Sequence, residues 1–95
     1  MATNQFTKDP NAVLDYAFDW SDWLAAGETI STFTVTAETG LTLGTGDKSP
    51  SQANGVVTYW LSGGTAGINY KVACLITTSA GRTDERTIWI KVVER

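Results

Sequence analysis

The sequence predicts an all-β fold, an antiparallel sandwich of two sheets with about seven short strands and an N-terminal arm. Three observations predict it. Alternation of period two recurs along the chain, Gly-, Ser- and Asp-rich turns punctuate it, and threonine and other β-branched residues are abundant. Spacing of this kind belongs to an antiparallel sandwich and not to an α/β fold.

The clearest strand is the last. From Arg86 to Val93, Ile88, Ile90 and Val92 point one way, and Thr87, Trp89, Lys91 and Val93 the other. That is a half-buried strand. Before it, Tyr70, Val72, Cys74, Ile76 and Thr78 share a face, and "SAGRTDE" joins the two runs as a hairpin. "GVVTYWL", Gly55 to Leu61, is a third strand, and "SGGTAG" a sharp corner after it. Upstream, "LDYAFDW" places Leu14, Tyr16, Phe18 and Trp20 on one side and Asp15, Ala17 and Asp19 on the other. "TISTFTVTA" puts Phe33, Val35 and Ala37 on one face, and Leu41 and Leu43 mark a short strand. The single helical turn expected is near "SDWLAAG", capped by Ser21 or Asp22. Residues 44–55 read as one exposed loop. Residues 1–11 read as the arm, with Pro10 blocking regular structure, and residues 12–95 as the sandwich domain.

The run "AGINYKVACLITTSAGRTDERTIWIKV" sharpens the fold. It sets a tyrosine, Tyr70, at the entrance of the penultimate strand. Immunoglobulin-like sandwiches carry a tyrosine there, with its ring inward and its hydroxyl bonded to upstream backbone. The Cys–Trp–Cys set of antibody domains is absent. The expected fold is therefore an immunoglobulin-like antiparallel β-sandwich of the disulfide-free kind.

Composition excludes more chemistry than it offers. There is one cysteine and no histidine, so no internal disulfide and no histidine-based triad or zinc site can form. Cys74 reads as an inert core thiol. Asp15, Asp19 and Asp22 match no calcium loop, and no catalytic residue, metal or cofactor is expected. The net charge is -3. That argues against nucleic acid or an anionic membrane as a partner, and no apolar run is long enough for a transmembrane helix. Charge is uneven: residues 1–47 sum to -6 and residues 48–95 to +3.

The aromatic residues carry the remaining signal. "FDWSDWL" sets two tryptophans three residues apart. Trp20 extends an apolar stripe and reads as core, whereas Trp23 lies beyond the strand and can plug the end of the sandwich. Trp60 shares a strand face with Val56 and Thr58, and Trp89 lies opposite the Ile stripe; each reads either as a core tryptophan or, where exposed, as an interface signal. The expected interface residues are Phe6, Lys8, Trp23, Trp60, Trp89, Arg82, Asp84 and Arg86.

With "DY…DWSDWL", "WLSGGTAG" and "GRTDER", the chain resembles small tailed-bacteriophage virion proteins of the kind labelled phage fiber-tail adaptors. The resemblance covers about nine-tenths of the chain. It implies a non-enzymatic structural protein of the virion, made in the bacterial host cytoplasm, that joins tail fibres to the tail or neck. Its expected partners are other phage structural proteins of the tail, neck, fibre or capsid, and copies of itself in an array. A capsid-decorating cement protein is the alternative, and a carbohydrate-binding module using Trp23, Trp60 or Trp89 is the reading from another class. In the adaptor reading the arm, with Phe6 and Lys8, orders only on assembly.

Overall fold

A computed structural model describes residues 5–94. It contains eight strands: β1 (Gln5–Lys8), β2 (Leu14–Asp19), β3 (Ile30–Ala37), β4 (Leu41–Leu43), β5 (Ser51–Ala53), β6 (Val56–Gly63), β7 (Asn69–Thr78) and β8 (Thr83–Val92). The first sheet has the order β1-β8-β7-β3. The second has the order β2-β6-β4, with β5 also paired to β6.

The alternating stripes lie where the pattern places them. Tyr70, Val72, Cys74 and Ile76 of β7 and Ile88, Ile90 and Val92 of β8 are buried against Phe18, Val57, Tyr59 and Leu61 of the second sheet. Burying each such aliphatic side chain contributes about 1.5–3 kcal/mol. An exposed ion pair contributes about 0–1 kcal/mol, so the stripes dominate the stability. Tyr59 forms the middle of an aromatic row, stacked on Phe18 at 5.2 Å and on Tyr16 at 6.0 Å. Trp20 is fully buried. Burial pushes the Cys74 thiol above its usual range.

Three local readings are corrected. Residues 44–55 are not one loop. A 3-10 turn at Gly46–Lys48 is followed by β5, which pairs with β6. The hairpin turn is Asn54-Gly55, with φ of 54° and 83°, the residue pair that a tight hairpin with two left-handed residues favours. Near Trp20 the expected turn forms, with the Trp23 and Leu24 amides on the Trp20 carbonyl, but Asp19, not Ser21 or Asp22, caps it. The Asp19 Oδ1 accepts from the Ser21 amide at 2.9 Å and its hydroxyl at 2.6 Å, which holds the Asp19 carboxyl below its usual range.

The third concerns the expected arm. Residues 1–4 lie outside the described residues. Residues 5–8 form β1, which runs parallel to β8 with Phe6 opposite Ile90 and Lys8 opposite Val92. The sheet is therefore mixed at this edge. Asp9-Pro10 then ends the strand in a turn, in which the Asp9 carboxylate accepts from the Asn11 amide at 2.8 Å.

Candidate functional site

The expected interface residues fall into four places. At one end of the sandwich, Trp23, Arg82 and Arg86 come together. Four planar groups stack in sequence. Arg82 lies 4.1 Å from the Trp23 ring, Trp23 meets Trp20 edge-on at 5.4 Å, and Arg86 lies 4.2 Å from the Trp20 ring. Guanidinium groups over indole faces are among the stronger cation–π pairs. Arg86 also donates to the Asp19 carbonyl at 2.7 Å.

Sequence reasoning missed the residue that fastens this stack. Glu28 receives two bonds from Arg82, a forked pair from Nε at 2.9 Å and from Nη2 at 2.5 Å. It also accepts from the Thr78 hydroxyl and the Ala25 amide. These donors hold the Glu28 carboxyl at about 2, well below the usual carboxylate range. The Arg82 guanidinium is raised in turn by Glu28. Glu28 and Arg82 are 54 residues apart, so no local pattern links them. Trp23 and Arg82 thus close this end of the fold against each other.

Lys8 is placed at the opposite end, and it is fully buried. Its ammonium donates to the Gly63 carbonyl at 2.7 Å and the Asp9 carbonyl at 2.8 Å. Burial lowers its pKa, and the Asp9 carboxylate opposes the shift. Two carbonyls at short range make Lys8 a clasp that fixes β1 to the corner after β6. Phe6 keeps an exposed edge and packs edge-on against Tyr16 at 5.6 Å. Tyr70 stands at the same end, and its hydroxyl accepts from the Thr65 amide at 2.9 Å, five residues upstream.

Trp89 and Trp60 lie on the two outer faces. Trp89 is 44% exposed on the first sheet, paired with Lys71 of β7. Trp60 is half-buried on the second sheet, paired with Asp15 of β2. The ammonium of Lys48 lies 5.1 Å from its ring centroid. Asp84 is exposed near the start of β8 and accepts from the Glu85 amide at 2.8 Å.

Among the described residues, no group of three or more Cys, Asp or Glu side chains is placed to hold a metal ion. A cleft of about 520 Å³ lies between Ser21–Thr29 and the β5–β6 turn. It opens widely to solvent and brings a single acidic group, Glu28, already bonded as described. What the arrangement offers is shaped surface: two flat faces with a tryptophan each, and loops at two closed ends.

A protein-family model described as "Podophage GP4 fiber-tail adaptor protein gp77" matches residues 8–91 of the chain. No curated protein matches it.

Proposed function

Because the chain belongs to the podophage GP4 fiber-tail adaptor family, we propose that it is a structural protein of the virion that joins tail fibres to the tail or neck through protein–protein contacts. The observation that carries this reading is the family match, which runs from the end of β1 almost to the end of β8. It therefore takes in nearly the whole sandwich and no separate piece of it.

The geometry supports the same reading. A sandwich sealed at both ends presents a fixed shape, and a fixed shape lowers the ordering cost of docking. The strand order favours an immunoglobulin-like assignment. The sequence β2-β6-β4 opposite β8-β7-β3 corresponds to strands B-E-D opposite G-F-C of that fold, and the Tyr70 hydroxyl bond corresponds to its tyrosine corner. Chain copies repeat in the particle, with their partners among the other tail, neck or fibre proteins. Neither nucleic acid nor membrane is a partner in this reading, and the chemistry is not enzymatic.

The test is to label the chain in intact particles and to make particles without it. The adaptor reading expects label at the junction of tail and fibres, and fibreless tails when the chain is missing. Label spread over the capsid shell, in hundreds of copies, would instead make it a cement protein and overturn the adaptor reading.

A further inference from the structure

The edge of a β-sheet carries a row of main-chain donors and acceptors, and folded proteins blunt it with charge, proline, shortness or irregularity. Three edges of this sandwich are blunted. β1 has four residues and runs into Asp9-Pro10. β2 carries Asp15 and Asp19, both exposed. β4 and β5 have three residues each, with the 3-10 turn between them. β3 differs. It has eight residues, Ile30–Ala37, without a charge or a proline. Among the described residues its sheet partner is β7 alone. Its register breaks between Ile30 and Thr32 and then runs unbroken to Ala37, so the irregularity guards only the start of the strand.

The open side of β3 presents an ordered set of groups. The Glu38 amide donates to the Lys71 carbonyl at 2.9 Å. Alternation along the same ladder then turns the amides and carbonyls of Phe33, Val35 and Ala37 away from β7. Thr32, Thr34 and Thr36 stand exposed on the outer face, and half-buried Phe33 packs against the core beneath. An extended strand fits such an edge.

The side chains select which strand. When two copies of β3 are laid antiparallel about Thr34, Thr32 meets Thr36, Thr34 meets its counterpart, and Phe33 meets Val35. Cross-strand threonine pairs are favourable, and a one-residue slip would set every threonine against a core side chain. Charge agrees with this register. Exposed Glu38 of each copy is carried to the far end of β3 in the other. There the Glu28–Arg82 pair shows its guanidinium, with the Arg82 side chain 44% exposed and that of Glu28 3%.

We infer that a second copy of this chain pairs its β3 antiparallel with β3 of the first, centred on Thr34, and so joins the two four-stranded sheets into one continuous sheet. The contact is isologous. It uses both open edges, and association stops at the dimer. The inference goes beyond the adaptor reading and does not depend on it.

Sedimentation of the purified full chain over a concentration series should show monomer and dimer and no larger species. In the dimer the two Thr34 residues form a pair without mutual hydrogen bonds, with Cα atoms about 4.5 Å apart. A disulfide spans about 4.4–6.8 Å. Thr34→Cys should therefore cross-link into dimers on mild oxidation, whereas Lys91→Cys, exposed on β8 two strands away, should not. Thr34→Lys sets two ammonium groups against each other and should weaken the dimer at least about tenfold. Circular dichroism should show it folded, since Thr34 is exposed. Mixing it with Thr34→Glu should restore association. A monomer at every concentration would overturn the inference, as would a dimer that Thr34→Lys leaves intact or that Thr34→Cys links no faster than Lys91→Cys. Hydrogen exchange at the Phe33 and Val35 amides should slow as concentration rises. Slowing only when another virion protein is added would assign the edge to a foreign strand and overturn the inference too. None of these results alters where labelled chain sits in particles, which tests the adaptor reading separately.

Discussion

The two ends of the sandwich are closed by different physics. At the Trp23 end, Glu28, Arg82, Trp23, Trp20 and Arg86 form a charged and aromatic clamp from segments far apart in the chain. At the Tyr70 end, closure is by close approach of backbone to ring. A Cβ on Gly40 would lie 2.5 Å from Tyr70 Cε1, and one on Gly64 would lie 2.6 Å from Val92 Cγ2. Both glycines have positive φ, 112° and 97°, which other residues adopt at a cost. Buried Lys8 then ties β1 to the same end. The first end depends on long side chains and ionisation. The second depends on bare glycines and on an ammonium that acid leaves charged, so substitution and acid pH should separate the two.

Trp20→Ala should have the largest effect, because Trp20 is the buried centre of the clamp and its loss leaves Arg86 without its ring and Trp23 without its edge-on contact. Unfolding in urea should show a loss of about 3–5 kcal/mol. A loss under 1 kcal/mol would mean that the clamp is not anchored in the core. At the other end, Gly40→Ala should cost about 2–3 kcal/mol, from the combined clash with the Tyr70 ring and the unsuitable φ. A neutral result would show that the ring can move aside, and would erase the contrast.

Ionisation should register at the Trp23 end. The Glu28 carboxyl titrates near 2 in the folded chain, against an ordinary value of 4.5. Between these values the unfolded chain binds more protons, so stability rises with pH across the window. The Glu28 contribution is full above about 4.5 and is lost as pH falls towards 2. Thermal melts of Glu28→Gln should show a flatter acid limb than wild type, and parallel limbs would refute the assignment. The smallest effect should come from Tyr70→Phe, which removes one hydrogen bond to the Thr65 amide and leaves the ring in place. The loss should be about 1 kcal/mol, equal at pH 3 and pH 7.

Much of this fold was legible in the sequence. The stripes of β7 and β8 and the inward Trp20 followed from alternation alone. The β5–β6 hairpin could have been read as well, since Asn54-Gly55 is a strong turn signal between two extended runs, but a polar loop composition hid it. Less of the candidate surface was legible. Strand parity set Trp89 opposite the Ile88–Ile90 stripe, but only the packed sheets decided that it is exposed and not covered. Lys8 was expected on a docking arm and is instead buried, because a lysine at the end of a short polar segment carries no local sign of the carbonyls that will surround it. Arg82 and Arg86 were expected as free contacts and instead lie over tryptophans from another loop.

By itself the sequence determined which residues face inward on each strand and where the chain turns. A two-residue period and a glycine's φ are local, and neighbouring residues suffice to encode them. The tertiary structure alone decided that β1 runs parallel beside β8, that Lys8 is enclosed, and that Glu28 meets Arg82. Those contacts arise only when the two sheets pack and bring together segments more than fifty residues apart, and no local period records such a meeting.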